Sequence, residues 1–207
     1  MNQYETYIIA FLDILGFKNL INTSSFDKVL DIFKSILTDK DAITALWHAV
    51  EDDDSICYAI QELLLNLETP ILLRGAIAVG DFYLNENLVF GKGLVDAYWA
   101  QERYAVYPRI IISNDITVGR RVSVDNGHDL PKDDDGYYYI NCIERYLGEE
   151  HTWEEIENSE QYDKLKNMID INLNGYNDDR VRQKYLWLER ELERIKNRGY
   201  EPLLVKG

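Results

Sequence analysis

The stretch that most constrains this chain lies near its amino terminus, where an apolar run carries one carboxylate to a glycine. Residues 8–15 read IIAFLDIL, and Gly16 follows directly. A short apolar run that ends at a turn residue is typical of a buried strand. The pattern therefore predicts a strand that delivers Asp13 to its end, where the side chain is either a metal ligand or the cap of a turn.

Strand and helix patterns alternate along most of the remaining sequence. Apolar residues at three-and-four spacing indicate amphipathic helices, and short apolar or alternating runs indicate strands. The carboxy-terminal quarter has helical periodicity throughout, with a break at 175–179. The patterns predict helices over 26–37, 55–67, 94–104, about 114–121 and beyond about 152, and strands over 42–50, 71–79, 81–84, 88–90, 107–113 and 137–143.

This order of elements predicts an α+β fold in which helices pack on one mixed sheet. A chain of 207 residues fits one domain that is large enough to bury a core without disulfides. Cys57 and Cys142 stand apart from each other and from any C-x-x-C motif, so neither a zinc site nor a disulfide framework is indicated.

The charge of the chain excludes one large class of partners. The 22 basic and 37 acidic residues give a net charge of −15, whereas a nucleic-acid-binding surface needs clustered Lys and Arg. No apolar run is long enough for a membrane span, and no signal peptide is recognisable. We therefore expect a cytoplasmic protein with no nucleic-acid partner and no membrane association.

Two arginines interrupt or adjoin apolar strands. Arg74 lies within the predicted strand over 71–79, and Arg109 follows Pro108 at the start of the next one. A buried arginine needs an anionic partner. For each of them that partner is either a structural carboxylate or an oxygen of a bound phosphate.

Five stretches, taken in order, resemble one enzyme family. Asp13-Ile14-Leu15-Gly16-Phe17 is similar to the D-I-x-G-F opening of the class III nucleotidyl cyclases, which include adenylate and guanylate cyclases. The ordered set resembles one bacterial branch, the pyrimidine cyclases of Pycsar antiphage defence. The other similar stretches are 73–80, 90–98, 107–110 and 184–188.

The resemblance implies a class III cyclase-like fold, which is a sandwich with a ferredoxin-like core. Its sheet is mixed but mostly antiparallel, with packed helices and a C-terminal helical extension. Residues 1–150 would form the cyclase-like catalytic domain. Residues 151–207 would form the helical extension and pack on the same domain.

The resemblance also implies a metal and phosphate site at the first strand. Two Mg²⁺ or Mn²⁺ ions activate the ribose hydroxyl and absorb the charge of the leaving pyrophosphate. Asp13 and the carbonyl of Ile14 would ligate metal. The backbone around Ile14, Leu15, Gly16 and Phe17 would hold the triphosphate.

The helix after the hairpin departs from the family pattern. Animal-type cyclases carry an asparagine and an arginine in this helix that orient the ribose and meet the transition state, and the matching positions here are Asp96 and Ala100. Asp96 is therefore a candidate nucleotide contact. The stabilising cation would come from elsewhere, and the candidates are Arg74, Lys92, Arg103 and Arg109.

The second metal-binding aspartate of the family is not evident. Thr44-Ala45-Leu46 would place Ala45 at its position, and the run Asp52-Asp53-Asp54 is the alternative. Three explanations are open: a degenerate enzyme, an Asp-to-Ala change, or natural residues absent from the sequence between Thr38 and Ser55.

Together the residues and the resemblance predict a homodimeric cyclase with its active sites at the dimer interface. It would convert UTP or CTP to the 3′,5′-cyclic monophosphate and pyrophosphate, and the product would activate a separate cyclic-nucleotide-sensing effector. Two alternatives stay open. One is a catalytically degenerate domain that binds nucleotide or a partner without turnover, and the other is a purely structural dimerisation module.

Overall fold

A computed structural model describes most of the chain. The described residues are 5–15, 21–22, 25–38, 61–62, 64–66, 70–84, 88–113, 130–148 and 151–197. The predicted strand over 42–50, most of the predicted helix over 55–67 and the helical piece over 114–121 lie outside them, as do Gly16, Phe17 and Ala45.

Five strands form one mixed sheet. Strand β1 (Glu5–Ile14) pairs antiparallel with β2 (Leu73–Leu84), and the register places Asp13 opposite Arg74. The spatial order is β1-β2-β4-β5, with β3 paired to β2. The shorter strands are β3 (Val89–Phe90), β4 (Ile110–Ile112), which runs parallel to β2, and β5 (Tyr139–Ile140), which runs antiparallel to β4.

Six helices of at least five residues lie among the described residues. In chain order they are α1 (Phe26–Thr38), α2 (Lys92–Tyr104), α3 (Cys142–Leu147), α4 (Trp153–Glu157), α5 (Glu160–Gly175) and α6 (Asp179–Asn197). Within the described part, none of the helices is both long and apolar enough to cross a membrane.

Helix α2 packs against β1 and β2. Ile9, Ala78 and Ala97 form a buried cluster between them. The close approach depends on two glycines, since a Cβ atom on Gly80 would lie 2.8 Å from the Cα of Gly93. The beginning of α2 is therefore held directly against β2.

The C-terminal helices share the largest apolar core with the sheet. Helix α6 contributes a buried stripe at helical spacing that includes Trp187, Leu188, Leu192 and Ile195. These side chains belong to the same cluster as Ile111 of β4. This packing brings α6 close to the carboxyl end of β1 and the start of β4. The domain boundary predicted near residue 150 stays a prediction.

The sequence patterns located most of these elements. The α+β class, the mixed sheet, the hairpin through residues 81–90 and the break between α5 and α6 are confirmed. The predicted strand over 137–143 is wrong in its second half, where α3 begins at Cys142. The reason is local, because the Asn141 side chain accepts a hydrogen bond from the amide of Glu144 and caps a helix there. The observed architecture is the α+β class with a mixed sheet, which is broader than the class III cyclase fold.

Candidate functional site

Asp13 lies one residue before the end of β1, as the sequence predicts, and the described residues contact only one oxygen of its carboxylate. Arg74 donates to Oδ2 from Nε at 2.7 Å and lies 2.7 Å from the same oxygen through Nη2. Gln101 Nε2 adds a contact to Oδ2 at 3.4 Å. Among the described residues, no side chain or amide donates to Oδ1. Asp13 is thus oriented by Arg74, and within the described part of the chain its Oδ1 atom is left for a ligand.

Arg74 bridges the sheet and the end of helix α2. Besides Asp13, it donates from Nη1 to the carbonyl of Ala105 at 3.3 Å. The side chains of Arg74 and Asp13 are 23% and 37% exposed, so this pair borders solvent. A guanidinium has five N–H donors, and the three contacts leave two of them without a partner in the described part of the chain. The partner of Arg74 is therefore a carboxylate of the protein, and the guanidinium retains donors for a further anion.

Gln101 is a site residue that the sequence analysis did not identify. It lies on α2, it is 2% exposed, and it shares the buried stripe of that helix with Gly93 and Ala97. The sequence feature that could have identified Gln101 is a polar residue at helical spacing in an otherwise small and apolar stripe. It positions the Asp13 carboxylate from above the sheet.

Ile14 and Leu15 complete the described end of β1. The amide of Leu15 donates to the carbonyl of Leu72 at 2.9 Å, which extends the β1–β2 pairing by one residue. This amide already has an acceptor within the protein. The neighbouring Gly16 and Phe17, which were predicted to hold phosphate, lie outside the described residues.

Arg109 has a different environment from Arg74, although its backbone is adjacent. Its carbonyl accepts from the amide of Gly75 at 3.1 Å, but its side chain is almost fully buried. Nη1 lies 2.6 Å from Asp133 Oδ2, and the guanidinium also pairs with Asp135. The guanidinium also lies over the rings of Tyr107 and Tyr139. The sequence left two kinds of partner open for Arg109, a structural carboxylate or a phosphate oxygen, and the partners that it has here are structural carboxylates.

Asp133 connects Arg109 to helix α6. Its Oδ2 accepts from Trp187 Nε1 at 2.7 Å, and its Oδ1 lies 3.1 Å from Arg194 Nη2. Burial alone would raise the pKa of Asp133. The hydrogen bonds from Trp187 and the Asp134 amide, the charge of Arg109 and the bond from Arg194 outweigh burial and lower the pKa. Asp133 is therefore an ionised anchor between β4 and α6.

A second buried acid, Glu191, lies on the same face of α6. Its carboxylate accepts from the Tyr139 hydroxyl at 2.8 Å and from Asn141 Nδ2 at 2.7 Å, while Arg194 lies nearby. Burial and the charge of Glu191 raise the pKa of Tyr139. These fully partnered groups fix α6 against β5, and they make this cluster structural rather than a binding site.

Asp96, the predicted nucleotide contact, lies in the first turns of α2 and pairs with Lys92. It is adjacent to the buried stripe of the helix but not part of it. Among the described contacts, none joins Asp96 to Asp13. The structure therefore brings Asp13, Arg74 and Gln101 together and leaves Asp96 and Arg109 in separate environments.

The metal prediction depends on a second acidic ligand. Carboxylate oxygen is the donor that Mg²⁺ prefers, and Oδ1 of Asp13 fits this requirement. Within the described residues, no group of three His, Cys, Asp or Glu side chains comes together to hold a metal ion. The positions proposed for the second acid, Ala45 and Asp52–Asp54, lie outside those residues. The described site thus supplies one side-chain ligand.

Comparisons of this chain with protein-family models, with curated proteins and with solved structures gave no match.

Proposed function

We propose that the chain is a nucleotidyl cyclase of the class III type that acts on a pyrimidine nucleoside triphosphate, UTP or CTP. The products would be the 3′,5′-cyclic monophosphate and pyrophosphate, and the cyclic product would signal to an effector in antiphage defence. The observed mixed sheet with packed helices is compatible with this fold class. The basis for proposing the class III family is the resemblance of the five ordered stretches described above.

One observation carries the proposal, namely the asymmetry of the Asp13 carboxylate. Oδ2 is fixed by Arg74, while Oδ1 is without a donor in the described part of the chain. The Oδ1 atom of such a carboxylate can coordinate a cation. The neighbouring guanidinium of Arg74 has two N–H groups without a partner in the described part of the chain. A cation and an adjacent anion-binding group are what a metal–triphosphate complex requires.

The residues divide the chemistry between them. Asp13, with the Ile14 carbonyl, would hold Mg²⁺ or Mn²⁺, which supplies charge neutralisation and a lowered pKa of the ribose 3′ hydroxyl. Arg74 would neutralise phosphate oxygens with its remaining N–H groups. Gln101 would keep the carboxylate in place when Arg74 turns toward the phosphate. We assign Arg109 a supporting role, through the backbone hydrogen bond of its carbonyl to Gly75.

The proposed homodimer has a surface to support it. Exposed apolar side chains, here called the α2 patch, lie on the described part of the β2–β3 hairpin and on one face of α2. Monomeric proteins rarely expose large contiguous apolar patches. The residues of the α2 patch, each at least 40% exposed, are Leu84, Leu88, Val89, Phe90, Val95, Tyr98 and Trp99.

The decisive experiment is turnover by the purified chain. The protein is incubated with each of the four common nucleoside triphosphates in Mn²⁺, and pyrophosphate and cyclic nucleotide are measured. We expect product from UTP or CTP, and we expect Asp13→Asn to abolish it. Absence of product with every nucleotide would overturn the cyclase proposal.

A second candidate is a cyclase-fold domain that binds nucleotide without turnover. It is favoured by the Arg74–Asp13 ion pair, because a guanidinium on Oδ2 lowers the affinity of the carboxylate for a cation. This candidate predicts a thermal shift with triphosphate and metal but no product. If the protein shows no thermal shift and forms no product, it is a structural module.

A further inference from the structure

We propose that Gln61 is a positioning residue for the candidate site, because its side-chain amide holds the part of β2 from which Arg74 reaches Asp13. This inference rests on the proposed function and deepens it. Gln61 acts through Arg74 and not on the ligand. The sequence analysis did not single out this residue.

The side chain of Gln61 is bonded at two points to the backbone where β2 begins. Its Nε2 donates to the carbonyl of Ile71 at 3.0 Å, and its Oε1 accepts from the amide of Leu73 at 2.8 Å. A glutamine amide carries donors and an acceptor in one plane, so this side chain takes the place of a neighbouring strand. Because Gln61 is only 2% exposed, both bonds are shielded from solvent.

Gln61 takes over where the pairing of β2 with β4 ends. That pairing begins at Gly75, whose amide donates to the carbonyl of Arg109 at 3.1 Å. The amide of Arg109 itself donates to the carbonyl of Tyr107 at 2.8 Å, so it does not continue the ladder toward Leu73. The next acceptor along β2 is therefore supplied by Gln61.

Arg74 lies between these two anchored amides. The amide before it is bonded to Gln61, the amide after it is bonded to Arg109, and the register of β1 against β2 places Arg74 opposite Asp13. The backbone is thus fixed around the point at which the Arg74 side chain leaves the sheet. Nε and Nη2 of Arg74 both lie 2.7 Å from Asp13 Oδ2. A two-point contact of this kind depends on the exact position of the strand.

Removing the Gln61 amide should loosen the start of β2 without detaching it. The carbonyl of Leu72 still accepts from the amide of Leu15 at 2.9 Å, which holds the β1 side of this segment. The Ile71 carbonyl and the Leu73 amide would lose the partners that they have in the described structure. We therefore expect a local displacement of Arg74 relative to Asp13 in a protein that still folds.

The first test observes the Asp13–Arg74 contact directly and needs no turnover. The Nε–H resonance of Arg74, assigned by its loss in Arg74→Lys, is followed by ¹H–¹⁵N NMR of the full chain. Gln61→Met keeps the length of the side chain and removes both hydrogen bonds. We expect the Arg74 resonance to shift in this variant, and its exchange with water to become at least about tenfold faster.

The matched control is Asn141→Leu, which removes another buried side-chain amide. Asn141 is 6% exposed, and its Nδ2 donates to Glu144 and Glu191 instead of to β2. We expect the melting temperature of this variant to fall, as that of Gln61→Met should. Its Arg74 resonance should stay at the wild-type position, because the loss lies in a different cluster.

The second test measures turnover of the nucleotide that gives product in the wild type, at a temperature at which all variants are folded. We expect Gln61→Met to lower kcat by at least about tenfold, because a displacement of about 1 Å at a reacting group can cost about a hundredfold. Asn141→Leu should keep the wild-type kcat.

Gln61→Glu tests whether the hydrogen-bonding pattern is what matters. A protonated carboxyl group offers the same donor and acceptor as the amide, whereas a carboxylate turns a lone pair toward the Ile71 carbonyl. Burial raises the pKa of a carboxyl group, so this variant should regain the wild-type Arg74 resonance as pH falls from about 8 to about 6. Gln61→Met should show no such recovery.

The outcomes separate this inference from the cyclase proposal. If the Arg74 resonance changes in Gln61→Met but not in Asn141→Leu, and no nucleotide gives a product, the positioning role stands and the cyclase proposal is wrong. If product forms and Gln61→Met keeps either the kcat or the Arg74 resonance of the wild type, the cyclase proposal stands and the positioning role is wrong. An equal change of the resonance in both variants would also overturn the positioning role.

Discussion

Arg109 and Asp133 form an ion pair at 2.6 Å in which the two side chains are only 1% and 5% exposed. The pair joins the start of β4 to the loop before β5, and Asp133 extends the connection to Trp187 of α6. Because the charges are desolvated, each depends on the other. This relationship explains how a helix near the end of the chain is fixed beside a site built from its beginning.

Removing one member of this pair should destabilise the fold strongly. We expect Arg109→Met to lower the free energy of unfolding by about 3 kcal/mol, because it leaves a buried carboxylate with reduced compensation. Urea denaturation followed by circular dichroism measures the change. The control is Lys164→Gln, which breaks the exposed pair with Glu160 and should change the free energy of unfolding little, because solvent screens that pair. Similar losses in both variants would contradict a structural role for the Arg109–Asp133 pair.

Stability should fall in acid in part through Asp133. Its pKa is lowered on folding from the ordinary value of 3.8, so the folded state binds its proton less readily than the unfolded state. A depressed acid contributes stability that is present above the unfolded pKa and is lost as pH falls through the folded pKa. We therefore expect this contribution to be intact near neutrality and to begin to fall below about pH 4, with the loss completed only below the folded pKa.

The variant Asp133→Asn isolates this contribution. Its free energy of unfolding should be lower than that of the wild type near neutral pH, and the difference should narrow as pH is lowered from about 6 to about 3. Urea denaturation at a series of pH values provides the comparison. A difference that stayed constant over the whole range would mean that Asp133 does not titrate with folding.

The sequence reveals patterns that lie within a few residues, but it does not reveal which residues far apart in the chain become partners. The alternation through residues 81–90 and the apolar run before Asp13 predicted the hairpin and the position of the candidate carboxylate, because both signals lie within a few residues. The Arg194–Asp133 contact joins residues 61 positions apart, and no local pattern selects one loop aspartate over its neighbours. Arg74 was recognised as needing an anion, but its pairing with Asp13 required the register of β1 against β2.

The contact between β2 and α2 gives a steric prediction. A Cβ atom on Gly80 would lie 2.8 Å from both Cα and N of Gly93, and backbone atoms cannot yield as a flexible side chain can. Gly80→Ala should therefore cost about 1–3 kcal/mol of unfolding free energy. Gly175→Ala is the matched change at the end of α5, where a Cβ atom would meet nothing within 4 Å, and it should be neutral or stabilise by about 0.5 kcal/mol. Thermal denaturation should show a lower melting temperature for Gly80→Ala and an unchanged or higher one for Gly175→Ala, and equal destabilisation would contradict the packing.

The α2 patch gives the last prediction, which concerns assembly. Trp99 is 46% exposed on α2 and contacts Tyr98 and Arg103 on its own helix, and this exposed area makes it a candidate contact for a second copy of the chain. We expect the wild type to be a dimer by light scattering and Trp99→Glu to be a monomer, because a buried carboxylate at an apolar interface is strongly disfavoured.

The same variant tests whether assembly and turnover are linked. If each site draws on both subunits, Trp99→Glu should lose cyclic-nucleotide formation together with dimerisation, while its circular dichroism spectrum and unfolding free energy stay close to wild type. Ile171→Glu is the control, because Ile171 is 60% exposed on α5 and lies outside the α2 patch. The Ile171→Glu variant should remain dimeric and active. A monomeric wild type that forms product would show that the α2 patch has another purpose and that one chain suffices for catalysis.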